Sequence, residues 1–275
     1  MDANADTDCY RDADSNPNSD THRDRNANSR SRCHLCKCCG RQRRRWIILE
    51  RGFLHLQSAL NIAVRGDQIW LAAGVYKPGD SGERSATFQL KNGVALYGGF
   101  AGTESVLAGR DWMAHVTVLS GDIDGNDTTD ATGVVTDSNK ISGANSYHVV
   151  TGSGTGATAV LDGFTISAGN ASSSTSSDAR GGGMFNLAGS PTVNNVSFIG
   201  NRAFENGGGM FNDGSSPALT NVSFSRNRTA GFSSVGGGMF NTNSSSPSLT
   251  NVTFSVTTLA VLALGWLTPT AAARS

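Results

Sequence analysis

The sequence predicts an all-β fold, a right-handed parallel β-helix (solenoid) with a short N-terminal capping helix and a disordered N-terminal tail. Three observations predict it. The motif GGGMFN occurs three times, with its methionines at Met184, Met210 and Met239. Each copy is followed by a matching second half, SPTVNNVSF, SPALTNVSF or SPSLTNVTF, closing on Phe198, Phe224 and Phe254. Around these repeats the chain is rich in Gly, Ser, Asn and Thr, with apolar runs too brief for ordinary amphipathic helices, a composition that suits many short strands joined by tight turns.

The methionines are 26 and 29 residues apart and the phenylalanines 26 and 30. A near-constant period with elastic insertions is what stacked coils produce, because extra residues leave the stack as loops. Within a unit, Val196 and Phe198, Val222 and Phe224, and Val252 and Phe254 alternate with polar residues, so one strand face points inward. Val193, Leu219 and Leu249 stand three positions before those valines, which requires a corner at Asn195, Asn221 and Asn251. Asparagine tolerates the left-handed backbone that a corner needs. Stacking then sets these amides one above another at strand spacing, ~4.8 Å, where each can bond the next. The same NVS and NVT triplets would also serve as glycosylation acceptors. The glycine triplets allow a tight turn or close backbone approach; a phosphate-cradling loop would need a following Lys and helix that are absent.

Upstream, weaker coils are expected at GVALYGGF ending at Phe100, HVTVLSGDI around Val118, SYHVVTGS around Val149 and AVLDGFTISAGN from Ala159, the last with Phe164 and Ile166 on one face and Asn170 at the exit. Leu56, Ala59, Leu60, Ala63 and Val64 recur at helical spacing and Gly66 supplies a stop, giving a helix that would blunt the first open strand edge.

FIGN at Phe198–Asn201 and FSRN at Phe224–Asn227, each with a GGGM element, resemble the paired FxxN and GG-apolar repeats of the polymorphic outer-membrane protein family. LQSALNIAVRGDQIWLAAGVYKPG, LYGGFAGTES and LSGDIDGND are similar to the opening of bacterial secreted β-helix proteins of that group. The likeness runs from about Phe53 to Ser255. It implies a bacterial cell-surface (outer-membrane) or secreted protein with adhesin-like or carbohydrate-related roles, membrane association through a parent protein, and no particular reaction.

Three segments follow: 1–52, 53–255 and 256–275. Residues 1–52 hold all five cysteines and 11 Lys/Arg against 8 Asp/Glu, while the rest holds 11 against 14. A mildly acidic body offers no nucleic-acid footprint. The start, MDANADTD, has neither the basic nor the apolar stretch of a signal peptide. CHLCKCC with His34 has metal-ligand chemistry but no closed zinc spacing, and Arg41–Trp46 is a basic run without structural context. Val256–Leu267 is short for a membrane span. After Phe254 the next Asn and glycine run are missing. Codons for Val256–Ser275 can be chosen so that the neighbouring frame spells GNYAGGSGAGMANADGSSPS, restoring the pattern, and the cysteine-rich front behaves alike. Both ends are therefore expected to be out-of-frame translation of a longer gene, which resequenced DNA would decide.

For chemistry, GDIDGND sets Asp122, Asp124, Asn126 and Asp127 as oxygen donors around a glycine, a calcium candidate lacking the acidic residue that ends an EF-hand loop, with a solvated turn as the alternative. Asp122 and Asp124 with Arg110 are the residues that a polysaccharide lyase or glycosidase would use. Asp162 is expected in a turn, and His115 and His148 as outward strand residues. Phe185, Phe211 and Phe240 suit either coil packing or contact with a sugar or partner. The expected function is a surface scaffold for adhesion to a cell-surface ligand or carbohydrate, with a polysaccharide-active enzyme and a nonfunctional fragment as alternatives.

Overall fold

The computed structural model describes residues 46–49, 55–173, 177–232 and 234–255. His34, the cysteines, Arg41–Arg45 and the apolar segment from Val256 lie outside the described residues. The rest forms a parallel β-solenoid of about six turns. Turn 1 holds strands Gln68–Ala72 and Gly74–Tyr76; turn 2 holds Phe88–Gln89, Ala95–Phe100 and Thr117–Ser120. Turn 3 holds Val150–Thr151, Val160–Asp162, Thr165–Ser167 and Asn170–Ala171, and turn 4 holds Met184–Leu187, Thr192–Asn194, Ser197–Ile199 and Arg202–Ala203. In turn 5 the strands are Met210–Asp213, Ala218–Ser225 and Arg228–Thr229, and in turn 6 Met239–Thr242 and Ser248–Ser255. Every pairing between turns is parallel, and the repeat residues are in register: Met184 on Met210 on Met239, Phe198 on Phe224 on Phe254.

Three columns of inward side chains fill the solenoid. Phe88, Val150, Met184, Met210 and Met239 line the first side, Leu96, Leu161, Val193 and Leu219 the second, and Leu119, Ile166, Phe198, Phe224 and Phe254 the third. The third column stacks face to face, with centroids 4.8 Å apart for Phe198–Phe224 and 4.9 Å for Phe224–Phe254. The glycine triplets and the phenylalanines belong together: a Cβ on Gly183, Gly209 or Gly238 would lie 2.8–3.0 Å from the ring of its own turn's Phe198, Phe224 or Phe254. Each corner residue Asn195, Asn221 and Asn251 has φ between 51° and 55°.

The four upstream segments expected as separate coils are instead sides of two turns. Phe88 pairs with Val150, so turn 2 takes 62 residues because loops 101–116 and 121–149 are inserted into it. Asn170 also differs from expectation. It aligns with Arg202, while Gly169 occupies the Asn201 level and donates its N–H to Asn201 Oδ1.

Helix α1 (His55–Ile62) buries Leu56, Ala59 and Leu60, joined by Ala63, against the first turns; Val64 falls past its end and is exposed. Trp46–Leu49 form a strand parallel to Gln68–Leu71 that extends the second side ahead of the helix. Lys91 Nζ bonds the carbonyls of Leu60 and Ala63 at the helix C-terminus, at 2.7 and 3.1 Å, where a cation is favoured. Among the described residues no helix is long and apolar enough to cross a membrane.

Gly209→Ala is expected to lower stability by about 1–3 kcal/mol through overpacking against the Gly238 carbonyl of the next turn and the Phe224 ring, measured by urea denaturation. An unchanged midpoint would show that the ring does not need the glycine.

Candidate functional site

Outward positions of the second side form a column in register: Tyr97, Asp162, Asn194, Thr220 and Thr250. Beside it runs the corner column. Asn251 Nδ2 donates to Asn221 Oδ1 (2.8 Å), Asn221 Nδ2 to Asn195 Oδ1 (3.1 Å) and Asn195 Nδ2 to Asp162 Oδ1 (2.8 Å). The amide dipoles all point one way, toward a carboxylate, the strongest acceptor available to end such a chain.

The carboxylate is held in turn by Arg110, whose Nη2 is 2.7 Å from Asp162 Oδ1 and whose Nη1 donates to the carbonyls of Gly98 and Asp162. Both side chains are nearly buried. The guanidinium lies 5.1 Å from the ring centroids of both Tyr97 and Trp112, within cation–π range of each. Loop 101–116 can dock this closely because a Cβ on Gly163 would meet Arg110 Nη1 at 2.6 Å, and one on Gly99, at φ 91°, would meet the Trp112 backbone. Trp112 keeps 39% of its surface exposed.

Arg110 thus meets Asp162 and not Asp122 or Asp124, the partners considered for sugar chemistry. Those two lie in loop 121–149. Asp122 Oδ1 accepts the N–H groups of Gly125 and Asn126, and its Oδ2 is 3.9 Å from Lys77 Nζ. Asp124 Oδ2 accepts from Ala144 N and Asn126 Nδ2. Asp127 accepts from Ser142 N (2.6 Å) and Asn145 Nδ2 (2.7 Å). These contacts pin 122–127 to 142–145. Among the described residues no three His, Cys, Asp or Glu side chains converge as a metal site. Burial pushes the Asp127 carboxyl up to about 6, opposed by its two donors and reinforced by the Asp122 and Asp124 charges.

His148 lies outside the core, its ring stacked on Phe185 at 4.8 Å, with Nδ1 3.1 Å from Gly181 O and Nε2 3.7 Å from Asp178. Burial lowers its pKa. Phe185, Phe211 and Phe240 continue that stack at 5.5 and 5.7 Å, and Phe211 is fully covered, with the guanidinium of Arg180 over its ring. His115, half-buried, sits just before the strand that begins at Thr117.

Two further asparagine ladders went unassigned in the sequence. Asn186, Asn212 and Asn241, the last letters of GGGMFN, bond inside the solenoid at 2.8 Å each. Asn201 and Asn227, the last letters of FIGN and FSRN, do so at 3.0 Å. The repeats already carried the signal, since a polar residue recurring at an inward position must find its partner in the next turn.

Compared with protein-family models, with curated proteins and with solved structures, the chain matches none.

Arg110→Ala strands a nearly buried carboxylate and is expected to cost about 3–5 kcal/mol; adding Asp162→Asn should recover part of it in a double-mutant cycle, and additive losses would refute the pairing. Asp127 binds its proton more tightly folded than unfolded, so its contribution is full below pH ~4 and is lost as pH rises through about 6. Relative to Asp127→Asn, the unmodified chain should lose up to about 1 kcal/mol between pH 5 and pH 7 in urea titrations, the half-exposed site being screened by water. Parallel stability curves would contradict this.

Proposed function

We propose that this chain belongs to a secreted or cell-surface bacterial protein, akin to polymorphic outer-membrane protein repeats, and serves as an extended scaffold for adhesion or ligand contact. One observation carries the reading. The exterior of the solenoid repeats outward side chains in strict register over successive turns, so a ligand meets the same groups again and again at strand spacing. Such a surface gains affinity by repetition rather than from one deep pocket. The repeats FIGN, FSRN and GGGM, on which the family resemblance rests, are accounted for here as ladder and packing residues, which suits a protein selected for an extended shape. The competing polysaccharide-cleaving reading needs two carboxylates free to flank a sugar bond, whereas Asp122 and Asp124 accept bonds from their own loop and Arg110 is committed to Asp162.

The test is adhesion of beads coated with the chain to bacterial and epithelial cell surfaces. Beads coated with the chain should bind and beads coated with heat-unfolded chain should not, with no new reducing or unsaturated sugar ends released. Equal binding by both would end the scaffold reading, and released ends would favour the enzyme.

A further inference from the structure

The corner of turns 4–6 carries a further feature. Apart from Ile199 and Ala218 its outward residues are amides and hydroxyls, among them Asn194, Thr220 and Thr250 beside the corner asparagines. None is ionisable. All are half-buried or exposed. Asn195 and Asn221 each spend one N–H and one lone pair on the ladder and Asn251 spends one N–H, leaving further donors and acceptors for a ligand. Ser223 Oγ bonds Ser197 Oγ at 3.1 Å, so the hydroxyls are aligned as well. At the head of the same columns stand Tyr97 and the exposed Trp112.

We propose that this track binds one linear, neutral polysaccharide chain laid along the solenoid axis. The inference rests on the scaffold reading and names its ligand class. Sugar hydroxyls both donate and accept, as the free amide and hydroxyl valences require. The apolar face of a sugar ring packs on indole, which fixes the chain's end at Trp112. A polyanion would need a row of cations to neutralise it; the outward track residues hold none, the exposed Arg226 beside Ser225 is a single charge at the margin, and Arg110 at the head is already bonded to Asp162. A protein partner would seek several clustered apolar anchors that it can desolvate; the outward track residues are amides and hydroxyls apart from Ile199 and Ala218, with Trp112 at one end.

Isothermal titration of the full chain with cellohexaose, mannohexaose, maltohexaose and the anionic comparator hexagalacturonate tests this. At least one neutral hexasaccharide should bind and hexagalacturonate should not. Trp112→Ala and Thr220→Lys should each weaken binding about tenfold or more, Thr220→Lys with an unchanged thermal midpoint and Trp112→Ala with a folded chain of lower midpoint because its ring also packs on Arg110, whereas Phe204→Ala, exposed away from the track, should leave binding unchanged. Ser223→Lys serves as a second track variant if Thr220→Lys does not fold. Failure of all neutral oligomers, preference for the anionic one, or full binding by the track variants overturns the proposal. So does sedimentation showing that two copies cover this face. Bead adhesion that persists while neutral sugars fail would leave the scaffold reading standing and remove this one; loss of both would remove both.

Discussion

Stacking of like residues on like, turn upon turn at the ~4.8 Å strand spacing, is the constraint on which the rest depends. Phenylalanine meets phenylalanine, methionine meets methionine, and asparagine meets asparagine because parallel strands in register leave no other choice. A one-residue slip would turn the inward column outward and break the amide ladders with it. The glycine triplets serve the same constraint. They clear the volume that the stacked rings occupy, which is why motif and phenylalanine recur together.

Ladders need ends. Inside the solenoid, the Asn186 series begins where turn 3 offers Gly152, and Asn186 Oδ1 is left buried without a partner. On the outside, the Asn195 series ends on Asp162, and the carboxylate is compensated by Arg110 under two aromatic rings. The outer ladder therefore terminates in a charged but neutralised cap, and the outward track residues beyond it are uncharged amides and hydroxyls apart from Ile199 and Ala218. Whatever the track contacts would meet first an aromatic edge and then a repeated array of amides and hydroxyls.

The two long insertions of turn 2 do different work. Loop 101–116 delivers Arg110 and Trp112 to the head of the ladder. Loop 121–149 closes on itself through the carboxylates of Asp122, Asp124 and Asp127 and then packs along turns 4 and 5, where Gly200 approaches Val135 and Arg228 bonds Asn139. In the Asp-x-Asp-x-Asn pattern, Asp122 Oδ1 and Asp124 Oδ2 accept from backbone and amide donors, while Asp124 Oδ1 is buried with no hydrogen-bond donor.

Periodicity made the solenoid legible from residues alone: the 26–30 residue steps, the V-x-F alternation and the corner asparagines each report a contact with the nearest neighbouring turn, and such contacts repeat in sequence because they repeat in space. The N-terminal helix was legible for the same reason, its apolar spacing being local. Only the tertiary structure decided that four upstream segments make two turns, that Trp46–Leu49 extends the ladder, and that Arg110 crosses to Asp162 rather than to Asp122. Those contacts span insertions that occur once, and a pairing that occurs once leaves no period behind. It is settled by how a loop docks on a finished coil, where glycines leave room and a buried charge must find its partner.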